Sequence, residues 1–183
     1  MEEKIYITSD IHSDIEALKF IINLASQDNA SLLLIAGDLV PSSLEFTQVL
    51  QSAPLRYVCV RGNCDSLWDF KDLNLAIPPM YSLTKYQNRN IFIYHSHIFC
   101  ESPIEIKEGD IVITGHSHTP HLYKENGVYY INPGSLSRPR SEEGATYGVI
   151  KDNSIKIKKV NGKTIKEIDL TWYFRNSQII ATY

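Results

Sequence analysis

Cysteine is scarce in this chain of 183 residues, which has only Cys59, Cys64 and Cys100. The number is odd and no two are spaced as CxxC, so neither a disulfide framework nor a cysteine-rich structural zinc site is indicated. A domain of this length buries enough apolar surface to stand without such staples. Long hydrophobic runs are missing too: none approaches the stretch of about 18 residues that spans a bilayer, so no membrane partner is expected. The N-terminus, MEEKIYITSD, has no basic region, apolar stretch and small-residue cleavage site of the kind that directs secretion. The expected setting is reducing and cytoplasmic. Blocks of positive charge are absent apart from KIKK at 156–159, and the net charge is −3. That composition argues against nonspecific nucleic-acid binding, which needs a basic footprint. NGKT at 161–164 looks like the tail of a phosphate-binding loop, but the motif's first glycine would fall on Ile157, which removes it.

What is present is a regular alternation of strands and helices. KIYITS at 4–9 is a short β-branched run. The stretch after it has Ile15, Leu18, Ile21, Ile22 and Ala25 at helical spacing, with Ser13 or Asp14 placed to cap it. SLLLIAG at 31–37 is a continuous apolar strand, a second helix is expected around 42–52, and LRYVCV at 55–60 is a third strand. Near-continuous apolar strands separated by helices indicate a parallel sheet covered by helices. From about residue 80 the rhythm changes to short strands, YSLTKY, NIFIYHS, DIVITGH, HLYKEN, VYYINP, TYGVIKD, SIKIKKV and QIIATY, separated by turn residues. We expect one domain over residues 1–183 with two packed sheets and helices outside.

Strand after strand ends in a polar group. The endings are SDIH, GD, GNCD, YHSH and GHSHTP, and sheets of this type place ligand sites beyond the carboxyl ends of their strands. Asp10 and His12 stand two apart in what reads as extended chain, which would put both side chains on one side. Asp38 follows Gly37 immediately after four apolar residues, where an unpaired carboxylate is costly; capping the next helix is its plainer role. Gly62 and Asn63 suit a tight turn. His95 and His97 share one spacing, and His116 and His118 repeat it. A single histidine at a strand end is more often structural, but two such pairs make that reading less economical. Two carboxylates, an amide oxygen and up to five imidazoles exceed what one tetrahedral zinc needs, and suit two divalent ions sharing a carboxylate. Paired ions hold a hydroxide and neutralise a phosphoryl group during in-line attack, so phosphoester hydrolysis is the leading reaction class.

The ordered set DIH, GD, GNCD, YHSH, GHSHTP and NPGS resembles the calcineurin-like metallophosphoesterases, and within them the small YfcE-like phosphodiesterases. The likeness runs from about residue 5 to 150. It implies a four-layer α/β/β/α sandwich of two mixed sheets flanked by helices, and a phosphodiesterase that attacks with a metal-bridging hydroxide. It also implies one metal on Asp10, His12, Asp38 and His118 and a second on Asp38, Asn63, His95 and His116. Manganese is the leading ion, with iron, zinc, cobalt and nickel as alternatives, and a small phosphodiester is the expected substrate. His97 would line the site without being a primary ligand. Ser96 stands where the family has glycine, which a negative φ would accommodate. Gly134 would supply backbone freedom in the NPGS turn, with Ser135 or Asn132 supporting the ligands; an ordinary turn is the alternative. Arg61 and Arg138 suit contacts to phosphate, although most exposed arginines only solvate a surface. Larger relatives have a leaving-group acid, a histidine, where this chain has Cys64. Cys64, Asp65 and His97 are expected to face substrate, with Asp65 and His97 as stand-in acids. Two other outcomes fit the same fold: a protein-binding scaffold like the retromer subunit, and a phosphomonoesterase or nucleotidase. An exposed sheet edge or apolar patch would support a homo-oligomer.

Overall fold

The computed structural model describes residues 3–170; the strand expected in QIIATY lies outside them. Strands β1 (Ile5–Thr8), β2 (Leu32–Ile35) and β3 (Tyr57–Cys59) alternate with helices α1 (Ile15–Gln27), α2 (Leu44–Gln51) and α3 (Leu67–Asp72). Eight strands follow: β4 (Tyr81–Tyr86), β5 (Arg89–Tyr94), β6 (Ile111–Ile113), β7 (His121–Glu125), β8 (Val128–Asn132), β9 (Thr146–Lys151), β10 (Ser154–Lys159) and β11 (Thr164–Asp169). The charged alternation of TIKEID hides β11 from a hydrophobic scan. Helix α3 is short and was not expected.

Two mixed sheets result. The first has the order β11-β10-β9-β1-β2-β3, the second β4-β5-β6-β8-β7. The pairs β1–β2 and β2–β3 are parallel, as the strand–helix rhythm requires, and β9 returns antiparallel beside β1. In the second sheet β5, β6 and β8 run parallel, with antiparallel β4 and β7 at the edges.

The continuous apolar runs reflect burial on both faces. In β1, Ile5 and Ile7 point between the sheets, where they join Leu34, Ile91, Ile93, Ile111, Ile113 and Tyr129. Tyr6, Leu33 and Ile35 point the other way, against Leu18, Ile21 and Ile22 of α1 and Phe46 and Leu50 of α2. Truncating one of these fully buried isoleucines to alanine costs about 2–5 kcal/mol. The outer face of the second sheet carries Phe92, Val112 and Val128, packed by Cys100 and Ile106 from the segment after β5.

Each helix starts where a side chain can satisfy its free N–H groups. Asp14, not Ser13, caps α1 by accepting from Ala17 N at 2.9 Å, and Ser43 caps α2 by accepting from Phe46 N at 3.1 Å. Ser13 instead donates to Val40 O at 2.6 Å.

Candidate metal centre

The loop after β1 is not extended. Asp10, His12 and Ser13 have φ of 56°, 47° and 66°. The cause is a backbone zipper to the loop after β2: Asp10 N donates to Gly37 O at 3.0 Å, His12 N to Asp38 O at 2.9 Å and Ser13 N to Leu39 O at 3.1 Å. Asp10 and His12 therefore share a side through left-handed turns rather than through strand alternation. Asp38 is left-handed as well, with φ of 51°. Left-handed backbone is uncommon outside glycine, and a run of it beside polar side chains is strain held in place by the surrounding fold.

Two glycines let the loops approach. A Cβ on Gly37, whose φ is 92°, would lie 2.5 Å from His95 Nδ1, and one on Gly62 would fall onto the Asp38 carboxylate. Every other residue type would push the donors apart.

Seven polar side chains converge. Asp10, His12, Asp38 and His118 each offer one ligand atom, all within 4.8 Å of one another. His118 Nε2 is 3.2 Å from Asp10 Oδ1 and 3.2 Å from His12 Nε2. Asp38 Oδ2 is 3.6 Å from His12 Nε2 and 3.4 Å from His95 Nε2, so this carboxylate reaches both neighbours. On the far side Asn63 Oδ1 sits 3.1 Å from His95 Nε2 and 2.8 Å from His116 Nδ1.

Hydrogen bonds fix which atoms face inward. His95 Nδ1 lies 2.7 Å from Ala36 O and His118 Nδ1 lies 2.7 Å from Arg138 O. A carbonyl only accepts, so each Nδ1 carries a proton and each Nε2 is turned to the cleft. Asp10 Oδ2 accepts from His116 N at 3.1 Å, and Asp10 Oδ1, fully buried, has no hydrogen-bond partner. A buried carboxylate oxygen without a donor is costly. Here it faces imidazole nitrogens whose outer protons are already committed. A divalent cation would satisfy all of them at once, and mixed oxygen and imidazole donors suit such an ion.

The electrostatics follow from this crowding. Burial alone would raise the Asp38 carboxyl, but hydrogen bonds from His95 and from Cys64 N hold it well below the ordinary carboxylate range. Burial lowers His12, and Arg138 and His118 add to that. Burial works to lower His95, but the Asp38 carboxylate, the Ala36 carbonyl and Asp10 together raise it above its ordinary value.

The expected substrate-facing residues separate. Cys64 is exposed; burial and the facing Asp38 carboxylate push its thiol up to about 11. His97 is half-buried, its ring centroid is 5.4 Å from that of His95, and its Nδ1 has no partner. Burial and the neighbouring His95 and His116 lower its pKa. Asp65 turns away: it is 6% exposed, and its two oxygens accept from Val40 N and Gly62 N, both at 2.7 Å. It braces two loops instead of meeting substrate. Ser96 has a φ of 75°, not the negative value expected, so serine occupies a left-handed position that glycine would fill without strain.

The NPGS turn supports the site. Ser135 Oγ donates to Asp10 O at 2.7 Å, and Ser137 Oγ, which the motif did not reveal, donates to the same oxygen at 2.9 Å. Asn132 Nδ2 donates to Gly115 O at 2.6 Å, just before His116. Arg61 points its guanidinium at the Met80 sulfur, with Nη2 at 2.8 Å. Arg138 is exposed beside His12.

The family model for the calcineurin-like phosphoesterase superfamily domain matches residues 4–154. The chain belongs to this superfamily. It is a phosphoesterase, and the cluster around Asp38 lies where the matched motifs meet. The chain is 26% identical over 174 residues to Phosphodiesterase YfcE of Escherichia coli (strain K12), covering 88% of this chain and 95% of that protein. The solved structure of Yfce, a phosphoesterase from E. coli, superposes with a TM-score of 0.82 at 24% identity, over 92% of this chain and 100% of that one. Wild-type Vps29 complexed with zinc, from Entamoeba histolytica, gives a TM-score of 0.66 at 18% identity, covering 92% of this chain and 99% of that one. These two likenesses establish a shared fold of two mixed sheets. They say nothing of the activity of this metallophosphoesterase.

Proposed function

We propose that this phosphoesterase hydrolyses small phosphodiesters with two divalent cations, one held by Asp10, His12, Asp38 and His118, the other by Asp38, Asn63, His95 and His116. The observation that carries the reading is the position of Asp38. Its Oδ2 lies 3.6 Å from His12 Nε2 and 3.4 Å from His95 Nε2, between the two groups of donors. The partnerless Asp10 Oδ1 adds the electrostatic reason for a cation. When bound, such ions neutralise phosphoryl charge and provide a nucleophile near neutral pH. Manganese fits the donor set, as do iron, zinc, cobalt and nickel.

The chain's own residues do the rest. Asp10 and His118 are aimed by Ser135, Ser137 and the Arg138 carbonyl, and His95 by Ala36 O. Arg61, whose described hydrogen-bond acceptor is a weakly accepting thioether, is available to a phosphate oxygen. With Asp65 committed to two backbone N–H groups, His97 is the one candidate acid left beside the leaving group, and the burial and neighbouring imidazoles that lower its pKa make it a poor one. The name of the relative, Phosphodiesterase YfcE, supports a diester over a monoester, and the complete donor set favours an enzyme over a protein-binding scaffold.

The test is chelation. Protein stripped of metal should lose hydrolysis of an aryl phosphodiester and regain it with manganese or a similar ion; full activity without metal would sink the mechanism. Without the relatives' histidine after Asn63, the rate should fall steeply as the leaving group becomes more basic. A flat dependence would show that an efficient acid is in place.

A further inference from the structure

The edges of the two sheets are β11 and β3 in the first, β4 and β7 in the second, and they are not equally defended. An edge strand presents unpaired N–H and C=O groups that invite another strand, and proteins blunt it with charge, short length or a cover. Strand β3 is three residues long, and the chain crossing to the next sheet closes its end, through Arg61 N to Pro79 O at 2.7 Å. Strand β11, TIKEID, carries Lys166, Glu167 and Asp169. Strand β7 carries Lys124 and Glu125, and β11 lies beside it. Strand β4, YSLTKY, is six residues long and has one charge, Lys85.

The register shows which backbone groups β4 leaves open. Opposed residues of an antiparallel pair alternate between those that exchange hydrogen bonds and those that do not. Lys85 faces Asn90 on β5, and Asn90 N donates to Asp110 Oδ1 at 2.9 Å, away from β4. Lys85 and Asn90 are therefore an unbonded pair, as by alternation are Leu83 with Phe92 and Tyr81 with Tyr94. The N–H and C=O groups of Tyr81, Leu83 and Lys85 thus point out of the sheet edge, and none has a hydrogen-bond partner among the described residues. Their side chains lie on the outer face of the second sheet, where the Tyr81 ring is 5.8 Å from that of Phe92. Tyr81 and Leu83 are 39% and 37% exposed, so both can be covered.

We propose that β4 is a dimerisation edge, which takes β4 of a second copy of this chain antiparallel across a two-fold axis at Leu83. Leu83 then faces its own counterpart, Tyr81 faces Lys85 of the second copy, and each such pair exchanges both hydrogen bonds. On the outer face the two leucines meet and each lysine crosses a tyrosine ring, a favourable place for an ammonium. On the inner face Ser82 meets Thr84, a pair that hydrogen-bonds across strands. A shift of register by two residues sets Lys85 against Pro79, which has no N–H, or Tyr81 against Gln87, which lies in the hairpin turn with a φ of 54°. The edge is thus self-complementary in one register, as a two-fold contact requires. One strand pair is a small interface beside the roughly 800 Å² per partner of a standard one, so the dimer is of the weak class, with a micromolar Kd. The candidate metal centre has no donor on β4, and hydrolysis is expected to be independent of pairing.

The test is the mass of the full chain in solution, followed by sedimentation from about 1 to 500 μM, a range that brackets an interface of this size. Conversion of monomer to dimer across that range is expected. Leu83→Pro should hold the protein monomeric and folded, because the N–H it removes points out of the edge and not to β5. Leu83→Lys, which sets two ammonium groups face to face, should weaken the dimer about tenfold or more. Oxidation reads the register. Cα atoms of a hydrogen-bonded pair are about 5.5 Å apart, within disulfide reach, so Leu83→Cys should form a covalent dimer above the level of the parent protein. Lys85→Cys, which faces Tyr81 of the second copy and not itself, should not. A monomer throughout the range, a dimer undiminished in folded Leu83→Lys protein, or cross-linking through residue 85 in place of 83 would each overturn the proposal.

Discussion

The two halves of the cleft are built differently. On the inner side, Asp10, His12, Asp38 and His118 are between 0% and 9% exposed, and backbone zippers and serine hydroxyls lock them in place. On the outer side His95 is buried and held by Ala36 O, but Asn63 and His116 are exposed, and the Asn63 side-chain oxygen rests on the rings of His95 and His116. Both sides share Asp38. The inner half keeps a buried oxygen without a donor, while in the outer half Asn63 Oδ1 already rests between two ring nitrogens. The inner donors are thus preorganised for a cation and costly without one. The outer donors can close on themselves and open to solvent, so exchange should be easier there.

The comparison can be broken at its shared member. Asp38→Ala removes the group common to both halves, and kcat should fall by about a thousandfold or more, corresponding to the several kcal/mol that metal ions supply. A variant that stays folded and keeps most of its rate would refute the shared role.

Next in size is the asymmetry itself. After dialysis, His116→Ala should retain about one equivalent of metal per chain and His12→Ala markedly less at the inner position, as read by elemental analysis. Equal loss from both variants would erase the distinction between the halves.

A smaller effect should come from the inner supports. Ser135 is fully buried, and Ser135→Ala leaves Asp10 O with one hydroxyl donor instead of two. We expect metal affinity to fall about 10–100-fold and stability by roughly 1–3 kcal/mol. An unchanged metal titration would show that Ser137 alone suffices.

The smallest effect is at the outer rim. Because Ser96 has a φ of 75°, Ser96→Gly should relieve left-handed strain and raise stability by about 1 kcal/mol, measured as a higher urea midpoint. A lower midpoint would mean that the Ser96 hydroxyl, 3.5 Å from Gly115 O, matters more than the backbone.

Much of this cleft could be read from the sequence because its donors occupy the ends of apolar strands. Asp10, Asp38, Asn63, His95 and His116 each follow one, and that pattern survives without knowledge of the fold. The left-handed backbone of Asp10 and His12 could not be read, since it is imposed by a partner loop 26 to 27 residues away, through His12 N to Asp38 O and Asp10 N to Gly37 O. The same holds for Asp65, which stands beside the motif but serves Val40 and Gly62, a pair brought together only by folding. Strand β11 was hidden by its charges, and its place at the sheet edge depends on pairing with β10. The antiparallel return of β9 to β1 joins segments over 140 residues apart, Ile5 with Ile150, which no local pattern encodes.

The most direct test of the central claim is anomalous scattering at the manganese edge, from crystals of the full chain grown with manganese. Two peaks, one on each side of the Asp38 carboxylate, are predicted, the inner with the higher occupancy. A single peak, or none within reach of Asp38, would contradict the account.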